Sequence, residues 1–314
     1  MRNVFIINPN AGKAVYQKEL IALLEKQGIE YYLTSKPGEA TDIAKLEAQK
    51  GDALRIFSCG GEGTNYEVIN GIFGFQNVSL GIVPCGSGND FIKFFGEKAP
   101  FLDLDAQLSG KLCYVDLIEV TADGKTYYGI NSCSAGMDAM VCENADKFKK
   151  WHGVSGKMAY MLGVVQTFFL PFGKKIDFTI DGKPHNNIPS LFAVCANAPY
   201  YGGGYKCAPN ANPASAKLNY SIISTRSKLK IVTILGKYRK GTHVDLSYCL
   251  SGECNEMTYH SESPVTFNID GEVYHFTDVT CRVLPKAIKL SVPQSAVKAF
   301  GNMAKFVETT TINA

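Results

Sequence analysis

Three short segments bring glycine together with acids, amides and small hydroxyls. They are Asn8-Pro9-Asn10-Ala11-Gly12-Lys13, Gly60-Gly61-Glu62-Gly63-Thr64 and Pro84-Cys85-Gly86-Ser87-Gly88-Asn89-Asp90. Glycine carries no Cβ, so backbone N–H groups can come close to phosphate oxygens, and a helix starting there adds partial positive charge. A single loop of this kind is most often only a tight turn. Three of them on successive strand ends, two carrying an acid and a hydroxyl, point to phosphate binding. The common nucleotide fingerprints are absent: Gly12-Lys13 is followed by Ala14 and lacks the leading glycine of GxxxxGK(S/T), and no GxGxxG follows the first strand. A fourth segment, Asn268-Ile269-Asp270-Gly271-Glu272, lies late in the chain. Asp-Gly is a strong hairpin signal. The same carboxylate could deprotonate an attacking hydroxyl in phosphoryl transfer, with Glu272 beside it for a metal or a ribose. Both readings stay open at this level.

The elements that must hold these loops follow from the apolar pattern. Strands are expected at Val4–Asn8, Ile29–Thr34, Leu54–Cys59 and Val78–Val83, separated by helices at Ala14–Gln27, Ala40–Gln49 and Thr64–Ile72. Continuous apolar strands alternating with helices predict a parallel sheet covered on both faces. Ligands of such sheets bind outside the carboxyl ends of the strands, where the three loops fall. From about Tyr114 the pattern turns to short β-branched and aromatic segments, among them Lys175–Ile180, Leu218–Ser224, Thr280–Leu284 and Ile288–Val292, with Asp-Gly turns at 123–124 and 181–182, which predicts a β-sandwich or barrel. The expected fold is therefore α/β plus all-β: a doubly wound nucleotide domain over residues 1–112 and a β-sandwich domain over 113–293. A last helix from Gln294 to Val307 would lie in a segment, 294–314, that packs back on the first domain.

Composition removes several functions. The 314 residues are 46% hydrophobic, enough for full cores. The ten cysteines are scattered with no CxxC pair, which predicts reduced, mostly buried thiols and not a disulfide framework. The five histidines form no HExxH, so a zinc site is not expected. No signal-peptide layout opens the chain and no apolar run reaches about 18 residues, so a transmembrane helix is not expected. Residues 1–112 carry 11 Lys+Arg against 13 Asp+Glu, and the remainder carries 21 against 16. That mild basicity is too diffuse for nucleic acid and suits an anionic ligand or membrane surface.

In order, these residues resemble the diacylglycerol kinase catalytic family, lipid kinases that include bacterial diacylglycerol kinases and sphingosine kinases. The resemblance rests on Asn8-Pro9 with Gly12, Thr34-Ser35 with Pro37-Gly38 and Ala40, the run from Gly60 to Gly71, and Gly86-Ser87-Gly88-Asn89-Asp90-Phe91. It continues through Asn131, Gly136-Met137-Asp138-Ala139, Gly202-Gly203-Gly204, Ala208-Pro209-Asn210-Ala211 and Asp270-Gly271-Glu272, and so covers nearly the whole chain. It implies the two-domain fold shared with NAD kinases, with the active site in the cleft. It implies an ATP- and Mg²⁺-dependent kinase of a lipid hydroxyl, with diacylglycerol as the first candidate acceptor. By likeness, Asn8, Pro9, Asn10, Ala11, Gly12 and Thr34 would touch ATP. Gly60, Gly61, Glu62, Gly63, Thr64, Glu67 and Ser87 would line its phosphates. Asp270 would be the general base with Glu272 beside it. Glu62, Asp90 and Asp138 would hold Mg²⁺ through water.

Two departures matter. The family's second motif has Asp where this chain has Glu62, and a misplacement of ~1 Å can cost ~100-fold in rate; a working site with shifted geometry is favoured over a dead one because the charge and oxygens are kept. After Asn212-Pro213, several bacterial members of that family carry an Asp-Gly whose Asp binds a structural Mg²⁺, whereas this chain reads Ala214-Ser215-Ala216-Lys217-Leu218, so that metal is not expected. The alternatives are a kinase of another lipid or of a soluble alcohol, and a catalytically impaired lipid-binding regulatory homologue.

Finally, residues 147–175 hold six lysines (147, 149, 150, 157, 174, 175), no acid, the single tryptophan Trp151 and the apolar run Met158–Phe172. This is the composition of an interfacial segment, and equally of a core helix with solvated lysines. The expected setting is cytoplasmic, peripheral to the inner face of the plasma membrane, without nucleic acid, and with a homodimer as the symmetric default.

Overall fold

The computed structural model describes residues 1–12, 14–86, 88–149, 151, 154, 156–171, 173–224 and 227–298. In chain order the first elements are β1 (Arg2–Ile7), α1 (Ala14–Gln27), β2 (Glu30–Leu33), α2 (Glu39–Ala48), β3 (Leu54–Gly60), α3 (Glu62–Ile72) and β4 (Val78–Pro84). A 3₁₀ turn Phe91–Phe95, α4 (Ala99–Leu102), α5 (Leu104–Leu108) and β5 (Lys111–Ala122) follow. The chain continues with β6 (Lys125–Gly129), β7 (Ser132–Gly136), α6 (Met137–Lys149), α7 (Gly156–Phe169), β8 (Lys175–Ile180), β9 (Lys183–Ala196) and β10 (Leu218–Ser224). It ends with α8 (Lys228–Lys240), β11 (Cys249–Cys254), β12 (Glu256–Ile269), β13 (Glu272–Val292) and α9 (Gln294–Lys298).

These elements make two compact units. The first takes Met1–Leu117 and the chain from Pro285 on; the second takes Ile118–Leu284. The expected limits at 112/113 and 293/294 are displaced because each boundary falls inside a strand, β5 and β13, and not in a linker. The described part of the C-terminal segment, α9, belongs to the first unit and touches α4. The remainder of the helix expected to Val307 lies outside the described residues.

In the first unit the strands run parallel in the order β2-β1-β3-β4, with the end of β13 added beside β4 at Leu290 and Leu80. Every residue of β3 and β4 is buried, which is why their apolar character is continuous and not alternating. Phe5 stacks on Phe57 at 4.3 Å between ring centroids, and Leu20 and Leu24 of α1 close over that face.

The second unit is built on antiparallel pairing in the order β11-β10-β9-β7-β12-β13, with β8 against both β12 and β9 and a β5–β6 hairpin. Two strands expected near the end of the chain are one, the 21-residue β13. Helices α6 and α8 were not expected: both are mixed sequences whose apolar faces are recognised only when packed, as Ile231, Ile234 and Tyr238 of α8 are against Leu191, Phe192 and Val194 of β9. All ten cysteines are free thiols and eight are buried.

Candidate active site

The chain leaves β1 to build β2 on one side of it, then reaches β3 on the other side. The strand order thus reverses between β1 and β3, and open α/β sheets bind ligands outside the carboxyl ends of strands at such a reversal. Asn8–Gly12 follows β1, Gly60–Gly61 ends β3 and leads into α3, and Cys85–Asp90 follows β4.

Backbone contact joins the three loops. A Cβ added at Gly12 would stand 1.7 Å from the Cys85 carbonyl oxygen, and Gly12 has φ +78°. The Gly86 N–H donates to the Gly60 oxygen at 2.8 Å, and a Cβ on Gly86 would lie 2.7 Å from the Gly61 Cα. Asn8 Nδ2 donates to Thr64 Oγ1 at 3.3 Å, and Asn8 Oδ1 accepts from the Asn10 N–H at 3.0 Å, which shapes the first turn. Gln17 holds that turn from α1 through the Asn8 and Ala11 carbonyls. Pro9, Asn10 and Gly12 remain exposed, with Ala11 half-buried beside them. At Gly61 the backbone is extended and α3 begins, its first intrahelical bond running from the Asn65 N–H to the Gly61 oxygen. The N–H groups of the first helical turn have no acceptors within a helix, so Gly61, Gly63 and Thr64 place a helix N-terminus among the loops.

The acids of this unit divide by role. One Glu62 carboxylate oxygen accepts the Asp90 N–H at 3.0 Å, and Gly88 leaves room for that carboxylate. Asp90 is fully buried and ion-paired with Lys93. Glu67, expected along the phosphates, instead accepts the Gly38 N–H at 2.8 Å and the Ala40 N–H at 3.1 Å. It caps the start of α2, where a carboxylate is favourable, whereas beside a phosphate it would repel. Thr34 is buried and bonds back to β1, its N–H donating to the Ile7 oxygen at 3.0 Å. Ser87, also expected at the phosphates, lies outside the described residues, as does Lys13.

Three residues that the motif reading passed over belong to this unit. Lys93 neutralises Asp90. Lys98 donates to the Gly86 carbonyl at 3.2 Å, and desolvation holds its pKa below the usual lysine value. Asp116, buried in β5, accepts the Lys286 N–H at 2.8 Å. Their only sequence signals were lysines three and eight positions after Asp90 and an acid between Val115 and Leu117.

In the second unit the hairpin reading of Asp270-Gly271 holds. The two residues have φ +47° and +95°, the positive pair a tight hairpin between β12 and β13 requires. The buried Asp270 carboxylate also accepts three backbone N–H groups, from Ile130 at 2.6 Å, Ser132 at 2.8 Å and Asn131 at 3.1 Å. Burial raises its pKa to about 6, against the lowering effect of those N–H groups. Glu272 is half-buried at the start of β13. Asp138, in the first turn of α6, is half-buried with both carboxylate oxygens shielded from solvent; neither oxygen makes a well-formed hydrogen bond, though Ser134 and Tyr201 lie near, and desolvation lifts its pKa to about 6.

The fit to Mg²⁺ is uneven. Among the described residues no three His, Cys, Asp or Glu side chains gather closely enough to bind an ion directly. Mg²⁺ ordinarily keeps several waters and takes one or two carboxylates plus substrate phosphates, so Glu62 suits it. The Asp90 charge is already met by Lys93. At the stretch where the family resemblance implied a structural metal ligand, Ser215 donates to the Asn212 oxygen at 2.8 Å and Lys217 donates to Asn255 at 2.9 Å.

Comparison with known proteins agrees with this architecture. Residues 2–120 match the model of the diacylglycerol kinase catalytic domain, and residues 131–292 match the YegS C-terminal NAD kinase β-sandwich-like domain. The chain belongs to the diacylglycerol kinase catalytic-domain family, with a NAD kinase-like C-terminal domain. It is 27% identical to "Putative lipid kinase YtlR" of Bacillus subtilis strain 168 over 311 residues, covering 91% of this chain and 98% of that one. It is 26% identical to a diacylglycerol kinase of the same organism, covering 85% and 88% of the two chains. A Bacillus anthracis protein solved as a "putative diacylglycerol kinase" shares the fold with a TM-score of 0.75 at 20% identity, covering 94% of this chain and 96% of that one.

Proposed function

We propose that this chain is an ATP- and Mg²⁺-dependent lipid kinase with diacylglycerol as acceptor and phosphatidic acid as product. The observation that carries the reading is the meeting of the three loops: Gly12 against Cys85, and Gly86 against Gly60 and Gly61, at the N-terminus of α3. Side chains are excluded where these backbones touch, which suits a polyphosphate cradle.

In this mechanism Asp270 takes the proton of the lipid hydroxyl as its oxygen attacks the γ-phosphorus of ATP. The bond from that phosphorus to the β–γ bridging oxygen breaks, and ADP leaves with the electron pair. The three N–H groups on Asp270 hold its carboxylate as an acceptor and leave part of its lone-pair capacity for the hydroxyl. Mg²⁺, held through water near Glu62, would neutralise charge on the phosphates. Lys98 adds a protein cation beside Gly86.

A second reading, an impaired regulatory homologue, draws support from the same Asp270 geometry, because a carboxylate engaged by three amides can serve as a purely structural clamp. A coupled ADP-release assay on diacylglycerol in mixed detergent micelles separates the two. Turnover that requires both the lipid and Mg²⁺ is expected. ATP binding without turnover on any lipid would leave the regulatory reading standing.

A further inference from the structure

Helix α7 is built the wrong way round for a helix that ends at its own protein. Its inward positions are small: Ala159 and Thr167 are fully buried, and a Cβ on Gly163 would come within 2.8 Å of the Ala145 nitrogen on α6. Thr167 ties the two helices together by accepting from Asn144 Nδ2 at 3.0 Å. Four of its bulky apolar residues face outward, while Phe168 packs on the core between β9 and α8. Met158, Met161, Val165 and Phe169 are 53%, 68%, 53% and 74% exposed, and their spacing of three, four and four residues places them on one stripe. Trp151, packed edge-on against Phe148, is 61% exposed just before the helix. Half of the large exposed apolar side chains among the described residues therefore fall within this short stretch.

Bulk turned to water and small residues turned inward invert the usual arrangement of an amphipathic surface helix. A stripe of this kind on a globular chain marks an interaction face. Charge indicates its occupant. From Lys147 to Lys175 there are six lysines and no acidic residue, and Lys174 and Lys175 are exposed directly after the helix. Lys147 is held by Glu143, so the lysines beyond it carry the net positive charge of the segment. Fourteen residues make about 21 Å of helix at ~1.5 Å each, too short for the ~30 Å core of a bilayer. No described helix is long and apolar enough to cross a membrane.

We infer that α7 lies in the surface of an anionic phospholipid bilayer, with Met158, Met161, Val165, Phe169 and Trp151 among the acyl chains and Lys174 and Lys175 at the headgroups. Aromatic and apolar side chains on one side with lysine at the margins are what interfacial binding requires. The inference rests on the lipid-kinase reading for its purpose, but its test does not depend on turnover.

The test is co-sedimentation of the full chain, without ATP, with vesicles of phosphatidylcholine alone or with phosphatidylglycerol added. The wild type is expected to bind the anionic vesicles more tightly, and salt to weaken that preference. The double variant Met161→Ser/Phe169→Ser is expected to lose about tenfold or more in partitioning. Lys174→Glu/Lys175→Glu should lose the preference for phosphatidylglycerol. The serine pair should melt like the wild type and keep any turnover in detergent micelles; Lys175→Glu alone, which spares the hydrogen bond from Lys174 to the Pro264 carbonyl, should melt like the wild type and weaken the preference in the same direction. Wild type that fails to bind, or a serine pair that binds unchanged, overturns the inference. So does a serine pair that turns a dimer into a monomer without altering vesicle binding, since a second copy then covers the stripe. Loss of all micellar turnover in the wild type with vesicle binding intact would count against the kinase reading alone.

Discussion

The Asp270 carboxylate stands 2.6 Å from the Ile130 nitrogen, with the N–H groups of Asn131 and Ser132 completing the set. The turn that bends the chain between β12 and β13 is thereby tied to the loop before β7. Burial lifts the Asp270 pKa from 3.8 to about 6. As the proposed base it must be ionised, so kcat/KM should rise with pH through about 6 and level off above it. Stability moves the other way. A carboxyl whose folded pKa is raised contributes stability that is full below pH 3.8 and is lost as pH rises through about 6. Asp270→Asn should abolish turnover, spare ATP binding and remove this component from a denaturation series across that range. Wild-type rate in the variant would place the base elsewhere.

Gly12 is the second test. Any side chain there meets the Cys85 carbonyl at 1.7 Å on a backbone with φ +78°. Gly12→Ala should force the first and third loops apart. We expect about 1–3 kcal/mol of destabilisation and a rise in the KM for ATP of about tenfold or more, measured by denaturant melts and initial rates.

Lys98 should behave as a charge and not as a strut. Lys98→Met removes the ammonium that sits 3.2 Å from the Gly86 oxygen. The KM for ATP should rise several-fold with melting temperature nearly unchanged. The difference from wild type should shrink as salt is added, because part of the effect is screened. Equal ATP affinity at low salt would remove Lys98 from the phosphate site.

Glu62 tests whether the site is fitted to its longer acid. Its carboxylate accepts the Asp90 N–H at 3.0 Å and fills the space Gly88 leaves. Glu62→Asp withdraws the carboxylate by one methylene and breaks that bond. We expect turnover to fall by about tenfold to a hundredfold despite the retained charge. An unchanged or faster variant would mean that the third loop does not depend on the glutamate.

Much of the first unit was legible beforehand. The helix Ala14–Gln27 lies where its spacing put it, and β4 begins at Val78 as expected. Buried parallel strands are continuous apolar runs and their helices carry a local period, so pattern alone finds both. In the second unit β8 and β10 also kept their expected limits, while α6 and α8 were missed. Their apolar faces are short and interrupted by charged residues, lysine and acid in α6 and lysine and arginine in α8, and contact with neighbouring strands completes them.

The sequence by itself determined which loops carry glycine, which residues are ionisable and where α7 and its lysines fall along the chain. Those are properties of single residues and of local period. Only the tertiary structure decided that Gly12 lies on Cys85, that Glu67 caps α2, that Lys93 meets Asp90, and that the bulky side of α7 faces outward. Each of these depends on segments distant in the chain, or on side-chain direction, being brought together by sheet order and helix packing. No spacing rule encodes that information, because the partner of each group is set by the fold and not by its neighbours in sequence.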